Sequence, residues 1–267
     1  MQYQLLTLDI DGTLRPASMP CVPRENAAAV RAVQRAGVRV AIATGRCRGG
    51  VSKQLIHGIH PDYWICAAGA QVLDRDGNPL HISTMTDQQM YALVDFFENY
   101  DYFLGFNFED GPYAYVNYEQ QRQEEQRTGM VGYVKDGEDQ DRHLESMPFS
   151  AFGRLSPQAA EQFQQKYGYL GLRFLFYGNG NGCDILTPEQ DKARGLKVIC
   201  DSMGIDPARA VSMGDGSNDR QILRRAGLGI CVADGDEHAR AAADRIAPPA
   251  AEFAVAQVCR ELWPEAF

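Results

Sequence analysis

The chain has 267 residues, of which 45% are hydrophobic and 23% are charged, as in an ordinary soluble globular protein with one large domain or two modest ones. Its formal net charge is −9 and it has no long basic stripe, which argues against nucleic acid or an anionic membrane as its main partner. The start, Met1-Gln2-Tyr3-Gln4, is not typical of a secretory signal, and no apolar stretch is long enough to cross a bilayer. We therefore expect a cytoplasmic protein.

The first third of the chain predicts alternating strands and helices. Apolar runs predict strands at 4–10, 38–43 and 63–67, helices at Arg24–Arg35 and 46–57, and a hairpin at 72–82. Gly49 and Gly50 weaken the second helix. This alternation is the βαβ rhythm of a parallel sheet that carries helices on its faces.

The middle of the chain does not alternate in this way. Its patterns predict helices at 87–100 and near Pro157–Tyr167, strands at 102–108, 113–117, 150–153, 170–177 and 183–186, and a turn at Asn179-Gly180-Asn181-Gly182. We expect a separate α+β domain over 82–187.

The βαβ rhythm returns from Pro188. Helices are predicted at Lys192–Met203, 218–226, 236–243 and near 252–262, and strands at 210–213 and 227–232. The predicted fold is therefore an α/β protein with a Rossmann-like parallel sheet core, formed by 1–81 and 188–267, into which the α+β domain is inserted.

The seven cysteines form no C-x-x-C pair, their number is odd, and several lie in apolar runs. We expect buried thiols in a reducing compartment rather than disulfides or a zinc site.

Two carboxylates follow the first predicted strand, in Asp9-Ile10-Asp11-Gly12-Thr13. If the chain stays extended there, Asp9 and Asp11 point to the same side. Two like charges held together need a cation or a proton to compensate them. The pair therefore indicates a site for metal-assisted chemistry, in which one carboxylate acts as nucleophile and the other as acid and base. The alternative is an ordinary Asp-Gly turn.

Three more polar features lie at predicted strand or helix ends, where open α/β sheets bind ligands. Thr44-Gly45-Arg46 follows the second strand, and Gly-Asp-Gly-Ser-Asn-Asp at 214–219 follows the strand at 210–213. Lys192 begins a helix, where its charge opposes the helix dipole and favours an anionic partner.

Each feature also has a plainer interpretation. Thr44 would serve as a simple helix N-cap, and 214–219 as a glycine turn with Ser217 or Asn218 as the cap. Lys192 would be a solvated lysine, or would lie one turn inside a helix that starts with the capping box Thr187-Pro188-Glu189-Gln190.

Taken together and in this order, the four features resemble the four motifs of the haloacid dehalogenase-like hydrolase superfamily. Those motifs are Asp-x-Asp-Gly-Thr, a strand-end Thr, a Lys, and Gly-Asp-Gly-x-Asn-Asp. The inserted α+β segment and the Thr-Gly-Arg form of the second motif resemble the Cof-like branch, in which the insertion is a cap over the active site. The resemblance spans the whole chain. It implies Mg²⁺-dependent hydrolysis of a small phosphorylated metabolite, a phosphate monoester such as a sugar phosphate, through an aspartyl-phosphate intermediate.

The resemblance also assigns roles to single residues. It implies that Asp9 is the nucleophile, that Asp11 is the acid and base, and that Lys192 neutralises charge on Asp9 and the phosphoryl group. The implied substrate-binding residues are Thr44, Gly45, Arg46 and Asn218. The implied metal ligands are Asp9, Asp11 through its main-chain carbonyl, Asp215, and Asp219 through water.

One departure from the Cof-like pattern follows the third strand, where Asn-Gly-Ala is usual. The sequence here is Ala67-Ala68-Gly69-Ala70, so that Ala68 replaces the amide and leaves the identity of the substrate open. Substrate contact is also considered for Arg46 and Arg48 and for the cap residues near Arg173 and at 179–181, although a solvated loop is the favoured interpretation of each. The run 102–108 is interpreted as cap core rather than a stacking platform, and 119–127 as a solvated helix face.

Two other functions remain open from the sequence. Relatives with similar caps transfer phosphate between sugar positions, so a phosphomutase is the second enzyme candidate. A non-catalytic ligand-binding protein on the same fold is the third, which the four intact motifs disfavour. The expected partner is a small phosphorylated metabolite, and the chain is expected to be a monomer or a homodimer.

Overall fold

A computed structural model describes residues 3–128, 132–177 and 182–267. The chain divides into two compact units. The first comprises Met1–Gly45, Val51–Ile82 and Asp191–Phe267, and the second comprises Arg46–Gly50 and Ser83–Gln190. The role of the middle segment as a cap stays a prediction.

The helices and strands are numbered along the chain. The first segment contains β1 (Leu5–Leu8), α1 (Arg24–Arg35), β2 (Arg39–Ala43), β3 (Tyr63–Cys66), β4 (Gln71–Asp74) and β5 (Pro79–Ile82). The middle segment contains α2 (Asp87–Asn99), β6 (Phe103–Phe108), β7 (Gly111–Val116), α3 (Tyr118–Thr128), β8 (Lys135–Asp136), β9 (Ser150–Arg154), α4 (Pro157–Tyr167), β10 (Arg173–Tyr177) and β11 (Gly182–Leu186). The last segment contains α5 (Lys192–Met203), β12 (Ala210–Gly214), α6 (Arg220–Arg225), β13 (Leu228–Val232), α7 (Glu237–Arg240), β14 (Arg245–Ala247) and α8 (Ala254–Leu262).

The first unit is built on one sheet with the strand order β14-β13-β12-β1-β2-β3-β4-β5. Strand β1 runs parallel to both β12 and β2, with Leu8 opposite Met213 and Ile42. The hairpin strands β4 and β5 pair antiparallel at the far edge. The carboxyl ends of β1, β2 and β12 therefore meet at one edge, and the predicted α/β fold is confirmed.

Helices cover both faces of this sheet because its strands are apolar on both sides. Along β2, Val40 and Ile42 join the cluster that contains the buried faces of α1 and α8. Ala41 and Ala43 alternate with them and join a second cluster with Leu196 and other residues of α5. This period of two fixes which side chains of the strand are buried under which helices.

A buried amide ties two distant parts of the first unit together. Asn26 of α1 has no exposed surface. Its side-chain nitrogen donates to the carbonyl oxygen of Leu14 at 2.9 Å, and its oxygen accepts from the backbone N–H of Ala256 in α8 at 3.1 Å. The loop that follows β1 is thus held to the last long helix of the chain.

The second unit contains a sheet with the order β10-β11-β9-β6-β7-β8. Its core combines side chains of α2 and α4, such as Phe97 and Phe163, with Phe106 and Phe108 of β6. The interpretation of the aromatic run as core is confirmed for these side chains. The polar helix α3 is not wholly solvated, because Glu125 is 2% exposed and accepts hydrogen bonds from the backbone N–H groups of 132 and 134 at 2.7 and 2.8 Å.

The helix predicted over 46–57 is wrong. The structure has one turn of 3₁₀ helix at Arg48–Gly50, followed by turns. A Cβ atom on Gly49 would lie 2.6 Å from the carbonyl carbon of Asp110, so only a glycine lets the backbone come this close. Contact with another part of the second unit thus overrides a weak local helix preference.

The helix predicted over 218–226 is also shorter than expected. A 3₁₀ turn at Ser217–Asp219 precedes α6, because the Asp219 carboxylate binds back to the loop before it. The short edge strand β14 escaped prediction. The start of α5 is settled: Asp191 caps it by accepting from the N–H of Arg194 at 2.7 Å, so Lys192 is its first residue.

Each of the seven cysteines carries a free thiol, and all except Cys21 are buried, as predicted. Among the described residues, none of the helices combines the length and the apolar character that a membrane crossing demands.

Candidate active site

Asp9 and Asp11 lie at the start of the turn that follows β1. Asp9 continues the pairing with β12, because its N–H donates to the carbonyl of Met213 at 3.0 Å. The chain then turns, with the N–H of Leu14 bonded to the Asp9 carbonyl and that of Arg15 bonded to the Ile10 carbonyl, at 3.2 and 2.7 Å. Strand β1 therefore ends at Leu8, and the chain turns back between Asp9 and Arg15.

Lys192 joins two carboxylates that lie far apart in the chain. Its ammonium donates to Oδ1 of Asp9 and to Oδ1 of Asp219, each at 2.7 Å. The Lys192 side chain has no exposed surface, so the interpretation as a solvated lysine is wrong. Burial lowers its pKa, but the negative charges of Asp219 and Asp9 outweigh burial and raise the pKa above its usual value. Lys192 therefore stays a cation.

Asp219 also organises the loop after β12. Its Oδ2 accepts from the N–H groups of Asp215 and Gly216, each at 3.1 Å. A Cβ atom on Gly214 would lie 2.4 Å from the Asp219 carboxyl carbon, so the side chain folds back over a glycine. One carboxylate thus fixes both the ammonium of Lys192 and the backbone that carries Asp215.

Asp215 is held against the turn after β1. Its Oδ1 accepts from the hydroxyl of Thr13 at 2.8 Å. Gly12 has a φ of 93°, and a Cβ atom there would lie 2.2 Å from Oδ2 of Asp215. The first and last motifs are therefore in direct contact, and Gly12 is needed both for its backbone conformation and for space. The sequence singled out no role for Thr13.

Asp9, Asp215 and Asp219 form an acidic group that suits a metal ion. Each offers one carboxylate oxygen, and these three atoms lie within 4.8 Å of one another. Burial raises the pKa of Asp9 well above its usual range; the charge of Lys192 opposes this, and the neighbouring carboxylates add to it. Burial and the charge of Asp219 raise the pKa of Asp215 to about 7, against the hydrogen bond from Thr13.

The charge of this group fits a divalent cation. When all three carboxylates are ionised, Lys192 offsets only one of the three negative charges. Carboxylate oxygens are the ligands that Mg²⁺ prefers in proteins. Burial is the largest cause of the raised pKa values of Asp9 and Asp215, and repulsion between the neighbouring carboxylates, which a cation would offset, adds to it.

The negative charge of Asp11 is compensated separately, by Arg15. Its Oδ1 accepts from Nε of Arg15 at 2.9 Å and from Nη2 of Arg15 at 2.5 Å. No motif in the sequence points to Arg15. Its spacing of four residues from Asp11 favours pairing on a helix, and this segment is a turn.

Thr44 and Gly45 lie at the same sheet edge as Asp9, because β1 and β2 are parallel neighbours. Thr44 is 1% exposed. Its N–H donates to the carbonyl of Ile65, and its carbonyl accepts from the N–H of Ala68, at 2.8 and 3.0 Å. The described chain has no α-helix between Thr44 and β3, so the N-cap interpretation is wrong. Asn218 lies in the turn after β12, half-buried, as Gly45 is.

The loop after β3 is left-handed at three successive residues. Ala67, Ala68 and Gly69 have φ values of 46°, 52° and 100°. A Cβ atom on Gly69 would lie 2.1 Å from the carbonyl oxygen of Asp191, the cap of α5. Asn is the non-glycine residue that best tolerates this conformation, so Ala68 departs from the usual pattern at a backbone cost as well as a chemical one.

The remaining candidates lie in the second unit. The guanidinium carbon of Arg46 is 4.9 Å from the centre of the Tyr133 ring, a cation–π contact. Arg48 lies in the 3₁₀ turn. Arg173 donates from Nη2 to the carbonyl oxygens of Thr187, at 3.3 Å, and Gln190, so its guanidinium binds the protein's own backbone. The candidates at 179–181 lie outside the described residues.

Comparison with known proteins extends these observations. Residues 6–259 match the sequence profile of the haloacid dehalogenase-like hydrolases. A phosphoglycolate phosphatase of Methanopyrus kandleri is 34% identical over 108 residues, which cover 40% of this chain and 46% of that relative. The chain thus spans less than half the length of that curated relative.

Two other relatives align along nearly the whole chain. Phosphatase YwpJ of Bacillus subtilis is 22% identical, with 97% of this chain and 99% of that protein covered. A solved structure of a subclass IIB sugar phosphatase superposes with a TM-score of 0.83 at 20% identity, with 97% and 98% coverage, which shows a shared fold. The match to the family profile runs from β1 into α8 and includes every residue of the acidic group. This chain therefore belongs to the haloacid dehalogenase-like hydrolase family.

Proposed function

We propose that this chain is a phosphatase that hydrolyses small phosphate monoesters with the help of Mg²⁺ and forms an aspartyl phosphate on Asp9. The observation that carries the proposal is the buried pairing of Asp9 with Lys192, next to two further carboxylates whose charge is not fully compensated. A carboxylate beside a fixed cation can attack phosphorus without first losing a proton to a separate base, provided that it is ionised. A bound divalent cation would ensure this.

The proposed reaction has two steps. In the first, a carboxylate oxygen of Asp9 attacks phosphorus, the bond from phosphorus to the ester oxygen breaks, and Asp11 gives a proton to the leaving alcohol. In the second, Asp11 takes a proton from a water molecule that attacks phosphorus, and the bond between phosphorus and Asp9 breaks. Lys192 offsets the negative charge on Asp9 and on the phosphoryl group in both steps. The products are inorganic phosphate and the alcohol.

The side chains of Asp9 and Asp215 and the main-chain carbonyl of Asp11 would hold Mg²⁺. Asp219 is already engaged by Lys192 and two backbone N–H groups, which favours a supporting role through water. When bound, the metal ion supplies positive charge that stabilises the oxygens of the transferring phosphoryl group.

The substrate class rests on the names of the relatives. They are called phosphoglycolate phosphatase and sugar phosphatase, and so act on small phosphorylated acids and sugars. For this chain we propose that Thr44, Gly45, Arg46 and Asn218 bind the substrate, and that the second unit acts as a cap that sets specificity.

The test is release of inorganic phosphate from a panel of sugar, glycerol and organic-acid phosphates, with Mg²⁺ and with a chelator. Asp9→Asn should lower turnover at least about a thousandfold, because it removes the nucleophile. The control is Asp201→Asn, which removes an exposed carboxylate that pairs with Lys197 on α5. Near-normal turnover by Asp9→Asn would contradict the proposal.

Two other outcomes identify the alternatives. Isomerised sugar phosphate without free phosphate would indicate a phosphomutase. Ligand binding without turnover of any monoester would indicate a binding protein.

A further inference from the structure

We propose that Arg15 is a positioning residue that holds Asp11 in place to protonate the leaving alcohol. The inference rests on the proposed function, because it concerns how Asp11 is aligned for the step assigned to it. Nothing in the four motifs calls for an arginine at this position. Its role follows from the contacts that the structure shows.

Arg15 contacts Asp11 through two of the three nitrogens of its guanidinium. Nε and Nη2 both donate to Oδ1, at 2.9 and 2.5 Å. The third nitrogen, Nη1, donates to the carbonyl of Met19 at 2.5 Å. The guanidinium is thus fixed to the backbone on one side and to the carboxylate on the other, which restricts rotation of the Asp11 side chain.

The backbone reinforces this arrangement. The N–H of Gly12 donates to the carbonyl of Arg15 at 2.9 Å, and the N–H of Arg15 donates to that of Ile10 at 2.7 Å. Ile10 and Leu14 have no exposed surface, so the turn that carries both charged residues is anchored in the core. The Arg15 side chain is only 15% exposed, whereas that of Asp11 is 35% exposed. The restrained acid therefore keeps contact with solvent.

This placement matters because Asp11 does not belong to the group held by Lys192. Asp9, Asp215 and Asp219 make up the acidic group, and Lys192 contacts the first and last of these. The two hydrogen bonds that Arg15 donates to Oδ1 give Asp11 its own support. A proton donor that is out of line by about an ångström loses much of its effect.

The test compares two leaving groups. An alkyl phosphate needs a proton on its leaving oxygen, whereas 4-nitrophenyl phosphate releases an anion that is stable without one. The value of kcat/KM reports the steps up to departure of the alcohol. Arg15→Met keeps most of the aliphatic stem and removes the grip. For this variant with Mg²⁺ we expect kcat/KM to fall about 10- to 100-fold for the best alkyl phosphate among glucose, glycerol and glycolate phosphates, and less than about threefold for 4-nitrophenyl phosphate.

Three variants accompany this comparison. Asp11→Asn should also lose kcat/KM selectively on the alkyl phosphate, and the loss should be larger than in Arg15→Met. For Arg15→Lys, kcat/KM on the alkyl phosphate should lie between the values for wild type and Arg15→Met, because one ammonium can replace part of the contact with Asp11. Arg75→Met, which breaks a 2.6 Å ion pair with Asp62 elsewhere in the first unit, should leave the ratio of the two substrates unchanged.

An equal loss on both substrates, or no loss on either, would overturn the role of Arg15, since a purely structural contact does not discriminate between leaving groups. If Arg15→Met does not fold, the same comparison with Arg15→Lys decides. If wild type and Asp11→Asn behave as expected and the Arg15 variants do not, only this inference fails. If wild type hydrolyses neither substrate, the proposed function fails and this inference fails with it.

Discussion

The ammonium of Lys192 lies 2.7 Å from Oδ1 of Asp9, and the two side chains are 0% and 8% exposed. The residues are 183 positions apart in the chain. A charge pair of this kind is far more costly to break than to keep, because the partner that remains is buried without compensation.

Replacing Lys192 should therefore destabilise the protein as well as inactivate it. We expect Lys192→Met to lower the free energy of unfolding by about 3–5 kcal/mol near neutral pH, as measured by urea denaturation without metal. The matched control is Lys197→Met on the same helix, whose ion pair with Asp201 is about half exposed and should contribute less than about 1 kcal/mol. Equal effects of the two changes would contradict the buried pairing.

The acidic group should make the metal-free protein less stable as pH rises. The folded pKa of Asp215 is about 7, above its usual 3.8, so between these values the folded state binds a proton that the unfolded state does not. The free energy of unfolding therefore falls as pH rises through this window, by about 1.4 kcal/mol for each unit of pKa difference. The raised pKa of Asp9 acts in the same direction.

This pH dependence can be measured by urea denaturation in chelator at about pH 5 and about pH 8, on either side of the folded pKa of Asp215. Asp215→Asn should reduce the difference between the two pH values. A wild-type protein that is more stable at the higher pH would show that Asp215 does not hold a proton in this way.

Metal binding should reverse the loss of stability at higher pH. Because the ligands must be deprotonated, Mg²⁺ should stabilise the protein more at about pH 8 than at about pH 5. A ligand at a hundred times its Kd adds about 2.7 kcal/mol. A thermal shift titration with Mg²⁺ on wild type and Asp215→Asn measures this, and an equal shift in the two proteins would count against Asp215 as a ligand.

Gly12 offers a test of the contact between the first and last motifs. Gly12→Ala should cost backbone strain of about 1–3 kcal/mol and also push Asp215 away, since the new Cβ atom would lie 2.2 Å from its Oδ2. Gly37→Ala is the control, because Gly37 has a similar φ of 96° and a Cβ atom there would have no neighbouring atom within 4 Å. Activity should be lost in the first variant and kept in the second. Full activity in both variants would show that the close contact between Gly12 and Asp215 is not needed for activity.

The left-handed loop after β3 predicts a difference between neighbouring alanines. Ala68 has a φ of 52°, whereas Ala70 has a φ of −66°, and both are buried. Glycine relieves backbone strain at position 68, whereas at position 70 it only raises the conformational entropy of the unfolded chain. Ala70→Gly should therefore destabilise the protein by about 1 kcal/mol more than Ala68→Gly does in urea denaturation. A reversed order would show that Ala68 is not strained.

The sequence was sufficient to predict which residues reach the candidate site wherever a strand delivers them. Buried apolar runs predict β1, β2 and β12, and the parallel order then brings Asp9, Thr44 and Asp215 to one edge. Helix α5 was predicted with its observed bounds, and the structure shows that Asp191 caps it.

The parts that escaped prediction depend on contacts between distant residues. The run 46–57 has a weak helical pattern, and the approach of Gly49 to Asp110 decides its conformation. The pairing of Asp11 with Arg15 depends on a turn whose hydrogen bonds no local pattern announces. The hydroxyl of Thr13 acquires its partner only when residues 202 positions apart meet.

The bridge made by Asn26 has a consequence for how the protein is made. Its amide supports the Leu14 carbonyl in the turn after β1, and its oxygen requires the N–H of Ala256, which lies 230 positions later. A ribosome makes the loop that contains Asp9 long before it makes the N–H of Ala256 that supports this loop through Asn26. A nascent chain that has not yet reached α8 therefore carries all four motifs but lacks the hydrogen bond between Ala256 and Asn26.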